Sequence, residues 1–190
     1  MKLSEKFEEA LIYATRAHAN QTRKKTGIPF VAHILGVTAI ALEYGANETE
    51  AIGALLHDTV EDCGGAERLR DIREKFGDDV ARIVDGCTDT YETPKPPWSE
   101  RKHAYIDHLK NSDGSTRLVS VSDKLHNTRA ILAELRRHGL EVFERFGGKK
   151  DGTVWYYRTL VTAFRQRDHS DLIDELDRVV SEIEKFVREH

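Results

Sequence analysis

Apolar residues recur at helical spacing along almost the whole chain, and this pattern restricts the possible folds more than any other feature. Residues 3–18, for example, place Phe7, Leu11 and Ala14 on one stripe, and later segments repeat the pattern between breaks that contain glycine or proline. No stretch alternates apolar and polar residues long enough to predict a strand. We therefore expect an all-α fold in which residues 1–190 form a single-domain bundle of roughly nine to eleven helices.

The segment from Asn47 to Asp62 predicts one continuous helix. Asn47 is a typical N-cap, and Glu50 three residues later completes the pattern of a capping box. The glycines at positions 64 and 65 follow the segment and are expected to terminate the helix. The predicted helix therefore ends in the polar run "HDTVED", directly after an apolar stretch.

Other boundaries are predicted from single residues. Asp78, which follows Gly77, is expected to cap the helix over "DDVARIVDGCTDT", and Ser170 or Asp171 is expected to cap the last helix. The segment "RFGGKKDGT" is rich in glycine and lysine. Because it lacks the G-x-x-x-x-G-K-[ST] pattern of a phosphate loop, we interpret it as a flexible surface loop.

Composition limits the classes of partner. The formal net charge is −4, so there is no excess of basic residues to match nucleic-acid phosphates over a long surface. The two cysteines, Cys63 and Cys87, are too few for a disulfide framework and suit a reducing compartment. The N-terminus has no apolar core of a secretion signal, and no apolar run has membrane-spanning length. We expect a cytoplasmic protein that binds neither nucleic acid nor membrane; the oligomeric state is open.

The stretch "GALLHDTVED", residues 53–62, places five polar side chains at the end of an apolar run. On a helix Glu61 lies one turn beyond His57, and Asp62 lies one turn beyond Asp58. Carboxylates this close repel one another and raise one another's pKa unless a cation lies among them. The pattern therefore predicts a divalent metal ion.

Two further polar residues interrupt apolar helical segments. His33 lies within "FVAHILGV" and Asp123 within "LVSVSDKLHN". Taken alone, His33 fits a hydrogen-bonded core histidine and Asp123 fits a local cap or ion pair. Together with His57 and Asp58 they form a set of two imidazoles and two carboxylates, which suits manganese, iron or zinc. Such a set leaves positions open for water and phosphate, as in hydrolytic metal centres.

These residues, read in order, resemble the H…HD…D metal signature of the HD phosphohydrolase superfamily. The blocks "RKKTGIPFVAHILGV", "ALLHDTVED", "REKFGDDVARIVDGCTD" and "SDKLHNTRAI" are similar in order and spacing to the (p)ppGpp hydrolase domain of RelA/SpoT proteins. The resemblance covers about residues 3–165. Because it leaves no room for synthetase or regulatory domains, the chain looks like a stand-alone small alarmone hydrolase, a group that includes the metazoan SpoT homologues.

The resemblance implies an HD-type helical bundle and a chemistry for the polar residues. It implies a manganese ion, or another divalent transition metal, and catalytic acids that orient or deprotonate the attacking water. The implied metal ligands are His33, His57, Asp58 and Asp123, and the implied acids are Glu61 and Asp62. The implied activity is manganese-dependent removal of the 3′-diphosphate of (p)ppGpp as pyrophosphate.

The resemblance also implies contacts to a small nucleotide substrate. The basic pair before the metal histidine maps onto Arg23 and Lys24, although Lys25 could replace Lys24 in this register. Asn127 would face the nucleoside. A tyrosine of a later helix maps onto Tyr156 or its neighbour Tyr157.

Two alternatives to this function remain open. The chain could be an HD phosphohydrolase for another nucleotide, such as (p)ppApp or a nucleotide 3′-phosphate, or it could be a catalytically silent nucleotide sensor. The presence of both Glu61 and Asp62 argues against the sensor. Most of the other histidines lie in charged surroundings and are expected at the surface, whereas His126, beside Asn127, is expected to line the pocket.

Overall fold

The computed structural model describes residues 2–92 and 94–190, and every regular element in them is helical. The elements in chain order are α1 (Glu5–Ala17), α2 (Val31–Glu43), α3 (Glu48–Leu56), α4 (Thr59–Cys63), α5 (Gly65–Phe76), α6 (Asp78–Cys87), α7 (Trp98–Leu109), α8 (Gly114–His138), a 3₁₀ helix (Gly139–Arg145), α9 (Lys149–Arg165) and α10 (Asp171–Glu189). The described part contains no strand, only an isolated bridge between Thr22 and Pro29. The predicted all-α class is confirmed. Within the same residues, no helix is both long and apolar enough to cross a membrane.

Two large hydrophobic clusters build the core. One lies among α1 to α6 and includes Ile34 and Leu55; the other lies among α7 to α10 and includes Leu125 and Leu160. A smaller cluster, to which Val119 of α8 belongs, connects the two halves through α2, α3, α6 and α8. Each fully buried aliphatic side chain of this kind contributes about 1.5–3 kcal/mol. As a result α2 and α8 are fixed firmly at the junction of the two halves.

The continuous helix predicted over residues 47–62 is wrong in one respect, because it divides into α3 and α4 at His57 and Asp58. Two side chains take over carbonyls that a continuous helix would use. The His57 Nδ1–H donates to Ala54 O at 2.8 Å, and the Thr59 hydroxyl donates to Leu56 O at 2.6 Å. The backbone of Asp58, with φ −96° and ψ −7°, stays in the right-handed region but departs from ideal helical angles. The break turns His57 and Asp58 toward the junction of the two halves.

The predicted caps are right at two helices and wrong at a third. Asn47 and Glu50 form the capping box of α3, and the Ser170 side chain accepts a hydrogen bond from Ile173 N at the start of α10. Asp78, by contrast, is the first residue of α6 rather than its cap, a position held by Gly77 with φ 91°. Asp78 forms an ion pair with Arg73 instead, at 3.2 Å. A left-handed φ of this kind is strained for aspartate and free for glycine.

The flexible loop predicted for "RFGGKKDGT" is also wrong. Lys149 begins α9, and the two preceding glycines pack against the indole of Trp98. A Cβ at Gly148 would lie 2.6 Å from that ring, and one at Gly147 would lie 2.9 Å from it. Glycine is therefore required here for close approach of backbone and indole. Through this contact the start of α9 packs against α7.

Candidate metal centre and adjoining cavity

Four of the predicted site residues converge where α2, the α3–α4 turn and α8 meet. His33 Nε2 lies 3.3 Å from both Asp58 Oδ2 and Asp123 Oδ1. His57 Nε2 lies 3.1 Å from Asp58 Oδ2 and 3.8 Å from Asp123 Oδ1. His33, His57 and Asp123 are buried, and Asp58 is partly exposed. Residues distant in sequence thus present two imidazole nitrogens and two carboxylate oxygens to one small volume.

This donor set fits a cation. Atoms that each lie about 2 Å from one ion lie roughly 3 Å from one another, and the histidine nitrogens of the cluster lie 3.1 to 3.8 Å from its carboxylate oxygens. His57 Nε2 is buried and has no hydrogen-bond partner among the described residues. His33, His57 and Asp58 form a group whose ligand atoms all lie within 4.8 Å of one another. The cluster therefore offers the coordination that a divalent metal requires.

Neighbouring groups fix which nitrogen of each ring faces the cluster. Because a carbonyl oxygen can only accept, His57 Nδ1 carries the proton of the bond to Ala54 O, and Nε2 is the nitrogen that faces the cluster. The other ring nitrogen of His33, Nδ1, is hydrogen-bonded to His126 Nδ1 at 2.8 Å. Burial, with help from His33 and Arg23, lowers the pKa of His126 to about 4, so this ring is a neutral acceptor near neutral pH. Such outer contacts orient metal-binding histidines in other proteins.

The charges of the cluster are strongly coupled. Burial lowers the pKa of His57, but the carboxylates of Asp58 and Asp123 outweigh it and raise this pKa to about 9. Burial raises the pKa of Asp123, but Lys124, whose Nζ lies 2.5 Å from Asp123 Oδ2, and the two histidines hold it well below its usual range. Without a cation, protons and Lys124 carry the positive charge that these carboxylates need.

Glu61 and Asp62 project from α4 beside the cluster, and each has defined partners. Glu61 Oε2 accepts from Asp89 N at 3.2 Å, and Lys95 Nζ donates to Glu61 Oε1 at 2.7 Å. Lys95 also lies 3.5 Å from Asp62 Oδ1, while Gln21 Nε2 donates to Asp62 Oδ2 at 2.8 Å. The two acids are thus held side by side, facing the same cavity.

That cavity has a volume of about 850 Å³, and a smaller one of about 340 Å³ adjoins it at Asp58 and Asp123. Cationic side chains outnumber acidic ones on the wall of the larger cavity, although the chain as a whole is acidic. They are Arg23, Lys24, Arg101, Lys102, Lys124, Arg137 and Arg145. Low-dielectric walls lined by one sign of charge concentrate ligands of the opposite sign. The cavity is therefore suited to a small polyanion.

The predicted substrate-binding residues lie on this wall. Arg23 Nη2 donates to Asn127 Oδ1 at 2.6 Å, and Asn127 Nδ2 in turn donates to Asp123 Oδ1 at 2.5 Å. Both lysines are exposed, but Lys24 lines both cavities and the neighbouring Lys25 lines neither. Lys25 has φ 59°, a left-handed conformation. The structure thus favours Lys24 over Lys25 in the register that the sequence left open.

The two candidate tyrosines differ in position. Tyr156 lines both cavities, and its buried hydroxyl has no hydrogen-bond partner in the described residues. Tyr157 lines the larger cavity only. Tyr156 is therefore the one beside the metal centre.

Several residues near the cavity were not predicted from the sequence. Lys102 Nζ donates to Asp89 Oδ2 at 2.9 Å, and Arg101 contacts the same carboxylate, whose backbone N–H reaches Glu61. Lys102 and Arg101 occur in a charged, amphipathic helix and carry no signal that separates them from surface residues. His18 was expected at the surface but is buried, with 3% of its area exposed. His126 lines the cavity, as expected.

Comparisons with known proteins agree in fold and sequence. The model of the HD domain family matches residues 10–154. The guanosine-3′,5′-bis(diphosphate) 3′-pyrophosphohydrolase of Danio rerio is 37% identical over 126 residues, which are 65% of this chain and 67% of that protein. The Homo sapiens enzyme of the same name is 38% identical over 127 residues, covering 65% of this chain and 68% of the relative.

A solved structure shows the same architecture. It is described as a metazoan ortholog of SpoT that hydrolyzes ppGpp and plays a role in starvation responses. It superposes with a TM-score of 0.79 at 28% sequence identity, over 96% of this chain and 97% of the other. The likeness therefore extends through both halves of the helical bundle.

Proposed function

Because the chain belongs to the HD domain family, in its RelA/SpoT-type hydrolase branch, we propose that it is a manganese-dependent (p)ppGpp 3′-pyrophosphohydrolase. The predicted HD-type fold and family are confirmed, and with them the assignment as a metal-dependent phosphohydrolase. In the proposed reaction, water attacks the phosphorus bonded to the 3′ oxygen and the phosphorus–oxygen bond to the ribose breaks. The 3′ oxygen takes a proton, and the products are GDP or GTP and pyrophosphate.

One observation supports this proposal most strongly. The convergence of His33, His57, Asp58 and Asp123 lies directly beside a pair of carboxylates, at the end of a cationic cavity. A metal site, a proton acceptor and a polyanion site are the three parts that hydrolysis of a phosphate ester needs.

The four converging side chains would hold the ion. Two imidazoles with two carboxylates suit manganese better than magnesium or calcium, and the absence of a thiolate among the four argues against a closed structural zinc site. When bound, a divalent ion polarises the attacked phosphate and lowers the pKa of nearby water. The hydrogen bonds of His57 to Ala54 O and of His33 to His126 keep the two rings in the orientation that this requires.

Glu61 and Asp62 would accept the proton of the attacking water. Both carboxyl groups line the two cavities, within reach of water beside the cluster. Lys95 contacts both acids and its side chain is 41% exposed, so it can move aside or follow the departing pyrophosphate. A carboxylate in this place contributes about 10²–10⁴-fold as a general base.

The basic segment before α2 would hold the nucleotide. Arg23 offers a planar fork of donors for phosphate or base, and its bond to Asn127 connects this segment to α8. Tyr156 presents an aromatic face and an unpaired hydroxyl to the cavity. Lys24 adds a cation close to the smaller cavity.

Replacing Lys24 with alanine is expected to raise KM for (p)ppGpp by about tenfold with little change in kcat, because it removes uniform binding energy. The effect should shrink as salt rises, since exposed charges are screened. Lys25→Ala is the matched control, because Lys25 is adjacent but lies off the cavity wall. Arg23→Ala should also raise KM. Its effect should be larger, because this change also removes the hydrogen bond that holds Asn127. Equal KM values for Lys24→Ala, Lys25→Ala and the unmodified chain would show that Lys24 does not bind the substrate and that the segment only aids solubility.

Stabilisation by metal is expected to grow as the pH rises from 6.5 toward 9. The proton on His57, whose pKa is raised to about 9, stabilises the metal-free fold below about pH 6.5. That contribution is lost as the pH rises through the folded-state pKa. A cation binds the unprotonated ring, so its affinity increases over the same interval. The difference in Tm between manganese-loaded and chelator-treated protein should therefore widen; a constant difference would contradict this, and His57→Ala provides the flat control.

The function is tested by identifying products. Manganese-loaded protein is incubated with ppGpp, ppApp and a nucleoside 3′-phosphate. Pyrophosphate from ppGpp supports the proposal, whereas orthophosphate from the 3′-phosphate supports the phosphatase alternative. Preference for ppApp would correct the base, and binding without products would indicate a sensor. The proposal also includes a cytoplasmic location and a single domain over residues 1–190, in keeping with the unpaired Cys63 and Cys87.

A further inference from the structure

Asp62 is held by a side chain to which no role has been given so far. Gln21 lies between α1 and α2; its Nε2 donates to Asp62 Oδ2 at 2.8 Å, and its Oε1 lies 2.7 Å from His18 Nδ1. We propose that Gln21, oriented by His18, is a positioning residue that fixes the Asp62 carboxylate for proton transfer. This inference rests on the proposed function, in which Asp62 accepts a proton from water.

His18 is itself immobilised. It follows the last residue of α1, and its side chain is buried. Its ring stacks on that of Phe30, with centroids 4.7 Å apart and planes inclined by 26°. Phe30 immediately precedes α2, and its ring contacts His33 edge-on, with centroids 5.4 Å apart. The imidazole of His18 therefore has a fixed position relative to the metal centre.

The Asp62 carboxylate can only accept, so it requires the NH₂ of Gln21 to face it and leaves Oε1 to face His18. An amide oxygen can only accept, so His18 Nδ1 carries the proton of the hydrogen bond to Oε1. Rotating the amide by half a turn would place its NH₂ against this N–H and its oxygen against the Asp62 carboxylate. Both hydrogen bonds would be replaced by repulsive contacts. The NH₂ group is therefore directed at Asp62.

The backbone of Gln21 is anchored as well. Its N–H donates to His18 O at 3.0 Å, and its carbonyl accepts from Phe30 N at 2.9 Å. The contact to Asp62 thus comes from a rigid unit outside α4. Because Gln21 occupies Oδ2, the oxygen that remains for water is Oδ1, which lies toward Lys95 and the cavity. Holding a proton acceptor in one orientation lowers the entropic part of the barrier.

Gln21→Ala is expected to lower kcat by about tenfold, the effect of one net hydrogen bond. KM and manganese affinity should stay close to those of the unmodified protein, because Gln21 contacts none of the four converging side chains. Tm should fall slightly, because the buried His18 Nδ1–H loses its acceptor. Gln21→Glu, which sets a like charge against Asp62, should lose more. Thr15→Val on α1 is the control, since Thr15 is exposed and bonds only Leu11 O. An unchanged kcat in Gln21→Ala would overturn the proposal.

The role of His18 is tested by a double-variant cycle. His18→Phe keeps a ring to stack on Phe30 but removes the N–H, so kcat should fall as in Gln21→Ala. The double variant should be no slower than either single variant, because both remove the same orientation. If the decreases in kcat of the two single variants multiplied in the double variant, His18 and Gln21 would act independently, which would contradict the proposal that His18 orients Gln21. Should His18→Phe fail to fold, the two Gln21 variants still decide the role of Gln21.

A spectroscopic measurement tests the link without turnover. In ¹⁵N–¹H spectra of the metal-free protein, His18 should carry a proton on Nδ1; a ring whose only proton lies on Nε2 would overturn the assignment. Activity assays distinguish a failure of the positioning role of Gln21 from a failure of the proposed function. If the unmodified protein releases pyrophosphate and Gln21→Ala equals it, the positioning role alone fails. If the unmodified protein releases none from any 3′-diphosphorylated nucleotide, both the function and this inference fail.

Discussion

Replacing His57 with alanine is expected to abolish stoichiometric metal binding and, with it, hydrolysis. His57 Nε2 is one of two imidazole nitrogens in the cluster, and its buried position offers no substitute donor. Loss of an outer contact to a metal ligand already costs about 10–100-fold in affinity, so loss of the ligand itself should cost more. Metal content after gel filtration and calorimetric titration with manganese measure the change.

His138→Ala is the matched control for this variant. His138 lies at the exposed end of α8, and its side chain is 46% exposed. It should retain full metal content and activity. A His57→Ala protein that is folded and still carries one tightly bound ion per chain would contradict the assignment of the metal centre.

Asp62→Asn and Glu61→Gln are expected to lower kcat by about 10²–10⁴-fold while leaving metal content nearly intact. Each change removes the carboxylate base but preserves side-chain size, and neither acid belongs to the converging group of four. Glu67→Gln on the exposed surface of α5 should have no effect. Steady-state rates and metal content are compared on the same preparations. Near-normal rates in both variants would exclude these acids from water activation.

Much of the fold is predictable because its signals are local. Apolar residues at helical spacing determine which face each helix buries, and the Asn47–Glu50 capping box depends on residues three positions apart. The metal cluster is predictable for a related reason. Polar residues such as His33 and Asp123, placed within apolar helical stretches, are costly to bury unless they have a partner.

The break at His57 and Asp58 was not predictable from periodicity. The apolar and polar pattern continues through it, and both residues keep right-handed backbone angles. The interruption depends on side chains that take backbone carbonyls, those of His57 and Thr59. Competition of this kind is a matter of geometry rather than of composition.

The groups that support the proposed catalytic acids could not be predicted from the sequence either. Gln21 is 41 residues from Asp62, and Lys95 is 34 residues from Glu61. Each is an ordinary polar residue in an irregular segment, where no periodicity marks the side that faces the cavity. The role of Gly148 could not be predicted either, because it depends on the indole of Trp98, which is distant in sequence. Glycine there indicates a close contact, although in the sequence it suggests flexibility.

The central claim is that water attacks the phosphorus bonded to the 3′ oxygen, beside the cluster of His33, His57, Asp58 and Asp123. The most direct measurement is hydrolysis of ppGpp by the manganese-loaded protein in ¹⁸O-labelled water, followed by ³¹P NMR. The account predicts GDP and pyrophosphate, with one ¹⁸O atom in the pyrophosphate and none in the nucleotide. Release of orthophosphate, or ¹⁸O in the nucleotide, would contradict it.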